Sequence, residues 1–215
     1  MTERGRPLAA DLLEAAAADV EFRDGAYVIR GTDRRIGLFE IARASEHRGS
    51  PLIASATFET PGMSYPNGCQ LCEVEVDPDT GKVTIERYVM VADPGRVLNP
   101  LIVEGQLHGG IAQGIGQALL ERVVFDPRSG QLLSGSFMDF ALPRADDLPT
   151  FTTVCSPVPG ADNPLGVKGI GEGPTTGSPP AVVNAVLDAL SERGVSAIDM
   201  PLTPERVWRA LATRQ

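Results

Sequence analysis

The chain has 215 residues, 42% hydrophobic and 22% charged, the proportions of an ordinary soluble globular protein. A net charge of −9 without any basic cluster excludes a nucleic-acid surface, and no run of 18 apolar residues could span a membrane. The opening Met1-Thr2-Glu3-Arg4-Gly5-Arg6-Pro7 lacks the apolar core of a signal peptide, so the cytoplasm is the expected compartment.

In chain order, Leu8 to Ala17 reads as a short alanine-rich helix. Asp24-Gly25 signals a hairpin turn between Val20-Glu21-Phe22 and Ala26-Tyr27-Val28-Ile29, and Gly37 to Ala44 reads as a second short helix. Residues Gly49 to Gly68, with Pro51, Pro61-Gly62 and Pro66-Asn67, form an irregular connection. A second hairpin joins Gln70–Asp77 to Val83–Val91 through Pro78-Asp79-Thr80-Gly81-Lys82. Ile102 to Arg122 is helical, and Asp126 to Gly130 marks another hairpin. Leu142 to Pro149 is a polar loop, and Phe151 to Ser156 a strand. Ser178-Pro179-Pro180 opens a helix that runs to about Leu190 and is ended by Gly194. Thr203-Pro204-Glu205 starts a last helix carrying Trp208. Strands and helices interleave without strict βαβ alternation, which makes the fold class α+β; with no internal repeat, one domain over 1–215 is the simplest count.

Cys69 and Cys72 form a Cys-x-x-Cys pair, the shape of a redox couple or half a zinc site. No second pair exists to complete a zinc site, and Glu73-Val74-Glu75-Val76 continues with period-two alternation. Two small residues on opposite faces of a strand are therefore the favoured reading. His47 and His108 fit no triad, which leaves a Ser-His-Asp hydrolase without support.

The stretch from Ile102 to Leu120 carries five glycines, Gly105, Gly109, Gly110, Gly114 and Gly116. Each costs about 0.8–1 kcal/mol against alanine inside a helix, so together they forgo about 4–5 kcal/mol. Two explanations stay level: close helix packing, given the four-residue spacings 105/109 and 110/114, or close approach of a ligand to the backbone, with Gln106, Gln113 and Gln117 as donors and acceptors. A phosphate loop is excluded, because Gly-Lys-Ser/Thr is missing.

Gly166-Val167-Lys168-Gly169-Ile170-Gly171-Glu172-Gly173-Pro174 sets one carboxylate among close glycines, with a lysine four residues before it. Such a loop lets another molecule approach the main chain and can aim the carboxylate at it. Partial burial among Gly171, Gly173 and Pro174 would raise its pKa toward that of a general base. Lys168 could offset that charge, contact an anionic group, or be solvated. Asp139, Arg144, Asp146 and Asp147 read as a solvated or subunit-contacting loop rather than as chemistry.

This loop resembles the active-site loop of the molybdenum hydroxylases, the family of xanthine dehydrogenase, aldehyde oxidase and carbon monoxide dehydrogenase. The order of Tyr65-Pro66-Asn67-Gly68-Cys69, Glu73-Val74-Glu75-Val76-Asp77, Asn99-Pro100, the glycine-rich helix, Asp139-Phe140-Ala141-Leu142-Pro143-Arg144 and Pro180-Ala181-Val182-Val183-Asn184-Ala185 is similar to the C-terminal part of the family's large subunit. The resemblance implies the C-terminal portion of a molybdopterin-binding domain with mixed strands and helices. It implies oxidative hydroxylation of a carbon centre in an aldehyde, an N-heterocycle or a CO-type substrate, with water as oxygen source and Glu172 as base. It further implies that Gln106, Gln113, Gly114, Lys168, Gly169 and Gly171 belong to the cofactor side, with no protein side chain as metal ligand. The cofactor implied is molybdopterin with molybdenum, in the cytosine dinucleotide form. Iron–sulfur clusters and FAD are expected on partner subunits, together with the N-terminal molybdopterin-binding half, which this sequence does not match. Cys69 and Cys155 do not correspond to the cysteine loop of true carbon monoxide dehydrogenases. Two readings follow, a piece of a large subunit active only with partners, or a non-catalytic fragment that keeps the fold and binds no metal.

Overall fold

Asp24 and Gly25 both take positive φ, 49° and 77°, and this left-handed pair turns β1 (Val20–Arg23) back along β2 (Ala26–Ile29), as the Asp-Gly signal requires. The computed structural model describes residues 1–213, and where the sequence suggests one domain the chain gathers into two compact units, Met1–Glu59 and Thr60–Gln215. In the first unit, β3 (Arg35–Gly37) adds an unexpected third strand beside β2. The first helix, α1 (Thr2–Leu12), begins six residues before the expected Leu8 and holds Pro7 inside it. Burial decides this: Gly5 and Ala9, one turn apart, lie against the fully buried Tyr27, whose hydroxyl donates to the Thr2 carbonyl at 3.0 Å. That packing outweighs the single N–H that Pro7 lacks. The second helix, α2 (Leu38–His47), is capped by Glu40, which accepts the Gly37 N–H at 2.8 Å.

The second unit is built on a three-stranded sheet in the order β4 (Asn67–Val76), β5 (Val83–Asp93), β6 (Phe151–Cys155). The first two strands pair antiparallel, and β6 runs parallel to β5, reached through the crossover helix α3 (Pro100–Leu119). The long helix α4 (Gly173–Ala189) packs beside α3, and α5 (Pro204–Ala212) ends the described chain. One face of β5, with Tyr88, Met90 and Ala92, meets Leu107, Ile111 and Ile115 of α3 and Val182 and Val186 of α4, and these form the core. On the other face Val91 pairs with Cys69 and Val154, and Leu71 lies beside them, an apolar strip that stays exposed. The architecture is α+β, as the interleaving of strands and helices in the sequence predicts.

Three expectations need correction. The helix read from Ser178 begins five residues earlier, at Gly173, with Pro174 in its first turn and Pro179 and Pro180 inside it. The hairpin expected at Asp126–Gly130 is reduced to a single bridge between Phe125 and Leu132, because Phe125, Leu132 and Leu133 are exposed and give the pair no core to pack on. Gly194 does take the left-handed conformation, φ 76°, but it closes a 3₁₀ turn (Ser191–Arg193) that follows the helix. All three cysteines are free, and burial pushes the half-buried Cys72 thiol up to about 11, which keeps it protonated and inert. Among the described residues, no helix is long and apolar enough to cross a membrane.

Candidate functional site

The site begins with the two sides of α3. Asn99 starts the helix, its side chain accepting from the Ile102 N–H at 3.3 Å, and Pro100 follows in the first turn. The inner side is closed against α4. A Cβ on Gly110 would lie 2.6 Å from the Pro174 Cβ, and one on Gly114 would overlap the Ser178 hydroxyl oxygen. The outer side is open. A Cβ on Gly105 or Gly109 would meet nothing within 4 Å. Gln106, Gln113 and Gln117 are exposed on that same side, their spacing of seven and four residues keeping them in one row. The glycines thus split between both readings that the sequence left level: Gly110 and Gly114 serve helix packing, and Gly105 and Gly109 leave backbone bare.

The glycine-rich loop lies next to this helix. Its first half is fixed: Gly95 and Val167 form a β-bridge, the Arg96 N–H donates to the Gly166 carbonyl at 2.8 Å, and the Lys168 N–H donates to the Pro94 carbonyl at 3.0 Å. The Lys168 ammonium donates to the Asp93 carboxylate at 2.5 Å, and both side chains are about nine-tenths buried, 11% and 12% exposed. The other Asp93 oxygen accepts the Gly95 and Val158 N–H groups at 2.9 and 2.8 Å. The Lys168 hydrogen bond, helped by those two backbone donors, holds the Asp93 carboxyl well below the usual carboxylate range.

The second half of the loop is free of such ties. Gly169 is exposed with nothing within 4 Å of a Cβ, and Gly171 faces Gln106, whose Oε1 would lie 3.4 Å from a Cβ there. Glu172 is the N-cap residue of α4, its carbonyl accepting the Thr176 N–H at 2.9 Å. Its side chain is exposed, so the burial expected among Gly171, Gly173 and Pro174 is not supplied by this chain. Glu172 lines a cleft of about 590 Å³ together with Tyr65, Pro66, Gln70, Met90 and Ile170.

Gln70, which sequence reasoning does not single out, fixes the start of α4. Its amide nitrogen donates to the Gly173 and Pro174 carbonyls at 3.2 and 3.1 Å, and its oxygen accepts the buried Tyr88 hydroxyl at 2.5 Å. A Cβ on Gly177 would collide with that amide, so glycine there is what lets Gln70 lie on the helix. A signal was present in the sequence: Gln70 is the one fully polar side chain on the inward row Gln70, Cys72, Val74, Val76.

Of the sequence-derived candidates, Gln106, Gly171 and Glu172 come together, with Gly169 close along the loop. Gln113 lies two turns further along α3 and takes a long contact, 3.5 Å, from the Thr175 hydroxyl. Gly114 is buried beneath Ser178, and the Lys168 ammonium is already committed to Asp93. Asp147 and Asp139 act locally, accepting from the Arg144 N–H and the Ser136 hydroxyl at 2.9 Å each. His108 packs edge-on to Phe151, its buried Nε2 without a hydrogen-bond partner among the described residues.

Among the described residues no group of three or more His, Cys, Asp or Glu could hold a metal ion. The donor set is instead amides, bare helix backbone and one carboxylate, which suits a bulky polar organic group laid against α3. Residues 1–149 match the family model of the molybdopterin cofactor-binding domain. The 6-hydroxypseudooxynicotine dehydrogenase complex subunit gamma of Paenarthrobacter nicotinovorans is 38% identical, over 97% of this chain and 27% of its own. The carbon monoxide dehydrogenase large chain of Hydrogenophaga pseudoflava is 34% identical, over 97% of this chain and 26% of its own. The reconstituted CO dehydrogenase from Oligotropha carboxidovorans superposes with a TM-score of 0.83 at 31% identity, covering 99% of this chain and 27% of that one. The chain therefore spans about a quarter of the length of the relatives it matches.

Proposed function

Because the chain belongs to the molybdopterin cofactor-binding domain family and matches the C-terminal part of molybdenum hydroxylase large subunits, we propose that it supplies the base and one wall of the cofactor site in an oxidoreductase that hydroxylates a carbon centre. The observation that carries this is the meeting of Gln106 and Gly171 beside an exposed Glu172. When bound, molybdopterin would supply the molybdenum redox centre that accepts the electrons of the oxidation. Gln106 would orient the cofactor through its amide, and bare backbone at Gly105, Gly109 and Gly169 would let a large group approach closely. Glu172 would take the proton of the water-derived nucleophile as it attacks the substrate carbon. Its exposure means that water must be shut out by other polypeptide, so turnover would require the remainder of a large subunit.

The cofactor form we propose is the cytosine dinucleotide, which acid hydrolysis would release as CMP. Iron–sulfur and flavin subunits would carry electrons away, in keeping with a relative whose name makes it one subunit of a complex. The substrate class stays aldehyde, N-heterocycle or CO-type. Co-expression with the rest of a large subunit, followed by Glu172→Gln, tests the reading. Turnover should fall at least a thousandfold, on the order of ~4 kcal/mol of transition-state stabilisation, while molybdenum and pterin content stay at the wild-type level. Loss of the cofactor together with turnover would make Glu172 structural. A complex that assembles without cofactor would favour the non-catalytic reading.

A further inference from the structure

Resting on that reading of Glu172 as base, we propose that Asp93 and Lys168 form a positioning clasp that sets where Glu172 stands. One carboxylate ties three segments: the end of β5 and its turn at Gly95, the strand exit at Val158, and the loop at Lys168. The Gly95–Val167 bridge and the Asn163 side chain, which bonds the Val167 N–H and carbonyl at 3.1 and 2.9 Å, complete the fixed end. At the other end α4 is held by Gln70 at its first two carbonyls and by Gly110 and Gly114 against its first turns. Only residues 169 to 172 bridge these anchors, and a Cβ on Gly169 would meet nothing within 4 Å. The chain path to Glu172 is thus short and pinned at both ends, so releasing Lys168 frees the only span that carries the carboxylate.

The clasp gives Lys168 a role different from an anion contact. Turning its ammonium toward a cofactor would leave the Asp93 charge, 12% exposed, without its partner. A direct contact and a clasp therefore make opposite demands on Asp93, because only the clasp needs both residues.

Amide hydrogen exchange across residues 166 to 172 of the full chain tests this without cofactor or turnover. Asp93→Asn and Lys168→Met should each speed exchange there on the order of tenfold, and Lys168→Arg, which keeps the charge, should restore slow exchange. The double variant Asp93→Asn/Lys168→Met should exchange no faster than the faster single one, since both remove one interaction. It leaves no unpaired charge and is the form to compare with wild type should a single variant fail to fold. Unchanged exchange, or effects that multiply in the double variant, would overturn the clasp. In an assembled large subunit, Lys168→Met should lower kcat with KM and cofactor content unchanged. Cofactor lost on Lys168→Met but kept on Asp93→Asn would instead make Lys168 a cofactor contact. A wild-type complex without cofactor would sink the proposed function and leave the exchange result standing.

Discussion

The inner and outer sides of α3 use the same residue for opposite ends. On the inner side, glycine removes a side chain so that α4 can come close; Gly110 and Gly114 are filled space. On the outer side, Gly105 and Gly109 remove a side chain and none of the described residues takes the room. Helix propensity penalises all four alike, so only the inner pair has its cost offset by packing within this chain. The outer pair is an expense without a local return, and the exposed Gln106, Gln113 and Gln117 stand in the same row, the face that the proposed function gives to the cofactor.

Substitution separates the two sides by sign. The largest expected effect is from Gly114→Ala, whose methyl overlaps Ser178: a loss of about 3 kcal/mol or more of unfolding free energy in a denaturant titration. Gly110→Ala should cost about 1–3 kcal/mol, because its methyl presses on Pro174 at the start of α4. Either variant keeping wild-type stability would break the packing account. Smaller, and confined to acid, is the contribution of Asp93. Its carboxyl is lowered in the folded chain, so the stability it adds is present above the ordinary carboxylate range and lost as pH falls toward the folded value. Stability measured from pH 6 downward should therefore decline more steeply in wild type than in Asp93→Asn. The smallest effect has the opposite sign: Gly105→Ala and Gly109→Ala should each stabilise the chain by up to about 1 kcal/mol. In the assembled complex the same two variants should reduce cofactor content, and full loading would show that the bare backbone is not a contact.

How much of this was legible follows distance along the chain. Asp24-Gly25 and the strands on either side of residues 77–82 were readable, because a turn signal and its strands are neighbours in sequence. Glu172 and Gln106 were readable as candidates only through their glycine-rich surroundings and a family resemblance. Proline misled at both ends. Pro179-Pro180 reads as a helix start and the first helix reads as beginning after Pro7, yet each proline lies inside a helix whose packing on Tyr27 or on α3 outweighs a few absent donors. The partner of Lys168 lies 75 positions away, and the carbonyls held by Gln70 lie 103 and 104 away. Nothing local encodes such pairs, so the sequence names no partner for Lys168, and Gln70 reads as one more strand residue. The burial of Glu172 failed for a further reason: spacing among glycines says that a carboxylate can be approached, not which polypeptide covers it.

The most direct test of the central claim is the molybdenum and pterin content of this chain co-purified with the remainder of a large subunit, wild type beside Glu172→Gln. The account requires stoichiometric cofactor in both and turnover only in the wild type. An assembled complex free of molybdenum, or a Glu172→Gln form that turns over like wild type, would contradict it.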